Sequence, residues 1–115
     1  DQWISCSSHN FLDFDNQSYC FPDIECTNKL GKKIYIEFFH RWHSKQLLQR
    51  IKVLEKKHQT PLMIGVCRKL LNSKELKNYL EKSTYFQKFG FTFRDFPTSA
   101  SVLKTLKNFD SIVVR

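Results

Sequence analysis

Residues 33–39, KIYIEFF, alternate in character. Ile34, Ile36 and Phe38 fall on one side and Tyr35, Glu37 and Phe39 on the other, the two-residue period of a strand with two distinct faces. CFPDIECTN before it predicts a second strand, and NKLGK between them predicts a hairpin turn in which Gly31 supplies the turn conformation. The period then changes. Leu47, Leu48, Ile51 and Leu54 recur at helical spacing across SKQLLQRIKVLEKKH, with Ser44 placed to cap the start. TPLMIGVC is an unbroken apolar run of strand length, which suits a strand covered on both faces. NSKELKNYLEKS predicts a second helix, capped by Ser73, with Leu76, Tyr79 and Leu80 inward. GFTFRDF predicts a strand with Phe91 and Phe93 on one side. PTSASVLKTLKNF predicts a third helix, capped by Thr98 and burying Val102, Leu103, Leu106 and Phe109; SIVV predicts a last short strand. Within the first twenty residues, Trp3, Ile4, Phe11, Leu12 and Phe14 predict one or two irregular or edge strands.

The resulting order is roughly β-β-β-α-β-α-β-α. Strands that alternate with helices make an α/β domain, with a mixed central sheet flanked by helices. The 115 residues suffice for one domain spanning 1–115, its core in 21–109. No apolar run approaches the ~20 residues that span a bilayer, so no membrane association is expected. DQWISCSSHN lacks the basic-then-apolar pattern of a signal peptide, so none is visible in these residues.

Charge narrows the choice of partner. Nineteen Lys and Arg against eleven Asp and Glu leave a net charge of +8. That favours an anionic partner such as nucleic acid or an acidic surface, against the plainer reading of a lysine-rich solvated exterior. The four cysteines form no C-x-x-C pair, and Cys67 ends the apolar run LMIGVC, where a buried free thiol is the expectation. This points to a reducing compartment, cytoplasmic or nucleoid-associated, and the spacing does not support a zinc site. The chain carries no Gly-rich phosphate loop, no G-x-S-x-G and no Cys-His nucleophile pattern.

Two carboxylates hold the chemical interest. Asp23 follows Pro22, and Glu37 sits between Ile36 and Phe38, where a charge is costly unless something pairs with it. Neighbouring strands lie ~4.8 Å apart, so the two can converge on one point and share a hard cation, Mg²⁺ or Mn²⁺. Glu25, two residues beyond Asp23, would be an auxiliary ligand. The competing reading pairs Glu37 with Arg41, Arg50 or a lysine and makes Asp23 a turn residue. Asp13 and Asp15 are read as loop residues that could add a ligand.

The pattern of Pro22-Asp23, a hairpin turn, then Glu37 deep in an apolar strand before a helix resembles the PD-(D/E)XK nuclease superfamily. The resemblance implies a restriction-endonuclease-like fold, with Asp23, Glu37 and the Phe38 carbonyl on a metal ion and phosphodiester hydrolysis in DNA or RNA as the reaction. A lysine usually stands two positions after the second acid. Here that position is Phe39, and in some members the basic residue moves to the following helix, which makes Lys45, Arg50 and Lys52 the candidates. Arg50 or Lys52 is expected to complete the catalytic set. EFFHRW, PLMIGVC and FTFRDFPTSASVLKTL are similar to segments of the nuclease domain of archaeal proteins that partner the XPB helicase. That similarity covers roughly residues 21 to 109 and implies a helicase or other DNA-processing protein as partner. Members usually carry a helix before the first core strand; none is legible here.

FHRWHS supplies further candidates. Arg41, His40, His43 and Lys45 are read as nucleic-acid-binding, with the histidines able to assist proton transfer. Trp42 could stack on a base, but a core position is the expectation for so large an aromatic. The alternative to a nuclease is a catalytically inactive DNA-binding or helicase-docking module of the same fold, which the missing lysine favours. A third reading is an interaction domain whose basic surface meets an acidic protein.

Overall fold

The unbroken apolar run at Leu62–Cys67 lies at the centre of the molecule, every residue buried. A computed structural model describes residues 3–7, 12–14, 18–20, 22–56 and 61–111. In chain order the strands are β1 (Trp3–Ser7), β2 (Leu12–Phe14), β3 (Ser18–Cys20), β4 (Ile24–Asn28), β5 (Lys33–Phe39), β6 (Leu62–Cys67) and β7 (Gly90–Phe93). The helices are α1 (Ser44–Lys56), α2 (Lys74–Lys82), α3 (Thr84–Phe89) and α4 (Ser99–Leu106), with short 3-10 turns at Arg68–Asn72 and Lys107–Ser111. Five strands form one mixed sheet in the order β1-β4-β5-β6-β7, and β2 pairs with β3 separately. The β1–β4 and β4–β5 pairs are antiparallel; β5–β6 and β6–β7 are parallel. The fold is therefore α/β, as the alternation of periods predicts.

The turn before β5 forms as expected. Gly31 adopts a φ of 82°, the left-handed region that glycine enters without strain. Its amide donates to the Asn28 carbonyl, while Asn28 Oδ1 accepts from the amides of Leu30 and Lys32. Side chains on the Ile36–Phe38 face of β5 meet Val102 and Leu106 of α4 around one cavity. The opposite face carries Glu37 and meets Arg50 of α1. β6 serves as the floor of an aromatic cluster. An added Cβ at Gly65 would come within 2.8 Å of both Phe38 and Phe91, so only glycine lets those rings close over the strand. Phe38 stands edge-on to Phe91 at 6.4 Å and to Phe93 at 5.9 Å.

Caps follow the sequence at two of three places. Ser73 accepts from the Leu76 amide and Thr98 from the Ser101 amide. At α1, Ser44 is already helical; the His43 carbonyl accepts from the Leu47 amide, so His43 holds the capping position. One helix was not expected. α3 is capped by Ser83 and buries Tyr85, Phe86 and Phe89, while Glu55 of α1 accepts from the Tyr85 amide and ties the two helices together. Leu103 departs from its expected burial at 46 % exposed, because α4 turns Leu106 rather than Leu103 fully inward. Residues 112–114 of the expected last strand lie outside the described residues. Among the described residues, no helix is long and apolar enough to cross a membrane.

Cys6, Cys26 and Cys67 are free thiols, the last two buried. Burial, helped by neighbouring Cys6 and Glu25, pushes the Cys26 thiol up from 9.0 to about 11. The folded chain thus holds this proton more tightly than the unfolded chain. Cys26 is stabilising below its unfolded value, and that contribution disappears as pH rises from 9.0 to about 11, at about 1.4 kcal/mol per pH unit. Urea midpoints for the wild type and Cys26→Ala should therefore converge over this window. Parallel pH curves for the two proteins would refute the assignment.

Candidate functional site

β4 begins at Ile24 because Pro22, buried just before it, has no amide to give to a ladder. Asp23 bridges the break. Its amide donates to the Ile36 carbonyl at 2.9 Å, and its Oδ2 accepts from the Phe38 amide at 2.8 Å. The carboxylate therefore lies against the peptide that directly follows Glu37. Strand register gives the same placement: Ile24 is level with Ile36, so one step further sets Asp23 beside Glu37. Asp23 is exposed, and among the described residues Oδ1 accepts no hydrogen bond.

Glu37 meets Arg50. The guanidinium Nε lies 2.8 Å from Glu37 Oε1, and each side chain is only 15 % exposed. Helical phase explains the reach. Leu47, Ile51 and Leu54 point into the core, and Arg50 stands beside them on the same flank of α1. Lys52 lies on the far side of the helix, exposed, as does Lys45 nearer its start. Of the three basic candidates on α1, Arg50 alone returns over the sheet to the acid. This corrects the equal standing of Lys52: two residues are about 200° of helical rotation, which turns it to solvent. An ion pair so far buried carries a desolvation cost that its mutual attraction only partly offsets. Such pairs are weak stabilisers.

Glu25 does not join this group. It faces Tyr35 across the ladder and pairs with Lys33 at 3.5 Å, the lysine half-exposed and the carboxylate mostly covered. Asp15 lies outside the described residues, and Asp13 falls in the separate β2–β3 pair.

Beyond Phe39 the chain leaves the sheet in a turn closed by two bonds. The His43 amide donates to the His40 carbonyl, and the His40 amide donates to His43 Nδ1, each at 2.9 Å. His43 is thus committed to the turn through Nδ1, and its neutral form carries the proton on Nε2. The expected core position of Trp42 is not observed: it is 66 % exposed and stacks on His40, with ring centroids 5.1 Å apart. Phe39 fills the buried end of β5 at 3 % exposure, which leaves the next aromatic on the outside of the turn. Arg41 is exposed beside it.

Comparison with protein-family models, with curated proteins and with solved structures returned no match. The site rests on its own geometry.

Among the described residues no three His, Cys, Asp or Glu side chains cluster in a way that could hold a metal ion. A dedicated cage for a transition metal is therefore not what these residues offer. Mg²⁺ makes a smaller demand: one or two carboxylates, with substrate oxygens and water completing its shell. Asp23 and Glu37, oxygen donors on adjacent segments, fit that set. The proposal of Glu25 as a third ligand finds no support in its pairing with Lys33. The bond from the Phe38 amide to Asp23, missed in the sequence, is signalled there only by the Pro-Asp step that halts the strand.

Proposed function

We propose that the chain hydrolyses phosphodiester bonds in DNA, with Asp23 and Glu37 holding Mg²⁺ or Mn²⁺. The supporting observation is that Asp23 stands level with Glu37 and accepts from the Phe38 amide, while Glu37 pairs with Arg50 of α1. A divalent cation bound there would polarise the phosphodiester and lower the pKa of an attacking water. Arg50 fixes the Glu37 carboxylate and sets a permanent positive charge beside it, taking the part of the lysine displaced by Phe39. The Phe38 carbonyl is the further oxygen that the resemblance implies. A net charge of +8 would draw the substrate backbone to the surface. The free thiols suit a reducing, cytoplasmic or nucleoid-associated setting, and a helicase or other DNA-processing protein is the proposed partner.

A second reading keeps the fold and the binding but not the cleavage. One observation favours it: Phe39 fills the lysine position with core, and Glu37 already has a cationic partner. End-labelled DNA, single-stranded and duplex, separates the two. A nuclease gives shortened products with Mg²⁺ or Mn²⁺ and none with a chelator. Intact DNA with both metals, alongside salt-dependent binding, selects the second reading.

Asp23→Asn sharpens the test. The amide oxygen of Asn still accepts from the Phe38 amide, so stability should change by less than about 1 kcal/mol. Cleavage should fall on the order of 10²-fold, because the charge that would hold the cation is gone. Unchanged cleavage by a folded Asp23→Asn protein would remove Asp23 from the site.

A further inference from the structure

The three parallel strands β5, β6 and β7 all end at one edge of the sheet, where ligands of open α/β sheets usually gather. Register there is fixed, with Phe39 level with Val66 and Cys67 level with Phe93. One arginine follows each of these strand ends, Arg41 in the turn after β5, Arg68 directly after β6 and Arg94 directly after β7. All three are exposed, and among the described residues none pairs with a carboxylate. Trp42 stands at the β5 end, its ring stacked on His40. Phe96, 73 % exposed, stands at the β7 end. His40 lies edge-on to Phe93 at 5.9 Å, which links the two ends. A cavity of about 230 Å³ opens between Arg68, Arg94 and Phe96, with Asp95 at its wall.

We propose that this edge is a docking track for an unpaired DNA strand, distinct from the carboxylates that would cut it. The three arginines answer the backbone charge. The exposed faces of Trp42 and Phe96 are what select the unpaired state, since a base can stack on them only when it is free of its duplex neighbours. Duplex DNA would meet the arginines but leave both rings unused. An acidic protein would offer carboxylates to the arginines but few flat rings to the aromatics. The inference takes nucleic acid as partner from the nuclease reading, but its contacts need neither Asp23 nor Glu37.

The test uses the full chain and a fluorescein-labelled oligothymidylate of roughly 12 nucleotides, within the range that one small domain covers. The oligonucleotide should bind at least tenfold more tightly than duplex DNA of equal length at the same salt, and should quench Trp42 emission. Trp42→Ala and Phe96→Ala should each weaken single-strand binding about tenfold and leave duplex binding unchanged. Both side chains are exposed, so both variants should fold. Replacing Arg68 and Arg94 together by Gln should reduce the slope of log affinity against log salt by about 1.4, at about 0.7 per phosphate contact. Equal affinity for duplex, full affinity in both aromatic variants, or equal displacement by polyglutamate would overturn the track. Selective single-strand binding without cleavage would sink the nuclease reading and keep the track; cleavage indifferent to Trp42 and Phe96 would do the reverse.

Discussion

Glu37→Gln is expected to lower metal-dependent DNA cleavage on the order of 10³-fold while leaving the protein folded. The substitution keeps the shape of the side chain and an oxygen that can still accept from Arg50 Nε, now 2.8 Å from Oε1. What it removes is the negative charge. A neutral amide would hold a divalent cation poorly, and it would leave the Arg50 charge uncompensated in a largely buried place. Some stability should be lost, about 1 kcal/mol, the difference between a charged and a neutral hydrogen bond. Steady-state cleavage rates with saturating Mn²⁺, read beside a urea melt, separate the two effects. A folded variant with activity within tenfold of the wild type would exclude Glu37 as a metal ligand.

Arg50→Ala should cost both stability and rate. Truncation leaves Glu37 in a site only 15 % exposed without the guanidinium that faces it. Removing one member of a mostly buried pair typically costs about 2–3 kcal/mol here, below the value for a fully enclosed pair. Cleavage should fall on the order of 10²-fold as the carboxylate loses its fixed orientation. Arg50→Lys should restore part of each, since a point charge replaces the planar fork. Lys52→Ala is the matched control. Its side chain is solvent-exposed on the same helix, and its loss should stay within about 0.5 kcal/mol and twofold in rate. Equal losses at Arg50 and Lys52 would mean that general positive charge, rather than the pair with Glu37, matters.

Much of the frame was legible because burial imposes period. β5 alternates since its Ile34 and Ile36 face is buried while its Tyr35 and Glu37 face is only partly covered, and β6 is apolar throughout since both of its faces are covered. The serine and threonine caps of α2 and α4 were legible because an oxygen must satisfy the first amides of a helix. α3 was not, because six residues make less than two turns, too few for the alternation of Thr84, Gln87 and Lys88 with Tyr85, Phe86 and Phe89 to read as a period; Ser83 before them was the signal. The place of Trp42 was misjudged from size alone. Bulk favours burial, but Phe39 had already filled the end of the strand. Asp23 and Glu37 were legible as residue types on neighbouring segments, and Arg50 as one of several candidate partners of Glu37; spacing left it level with Arg41 and the lysines until the inward residues Leu47, Ile51 and Leu54 fixed the rotation of the helix.

The most direct test of a cation shared by Asp23 and Glu37 is titration of the purified chain with Mn²⁺, followed by electron paramagnetic resonance of the free ion. The proposal predicts one bound ion per chain in the wild type and in Glu25→Gln, with that site lost in Asp23→Asn and again in Glu37→Gln. No bound ion at millimolar Mn²⁺, or binding that survives both single substitutions, would contradict it.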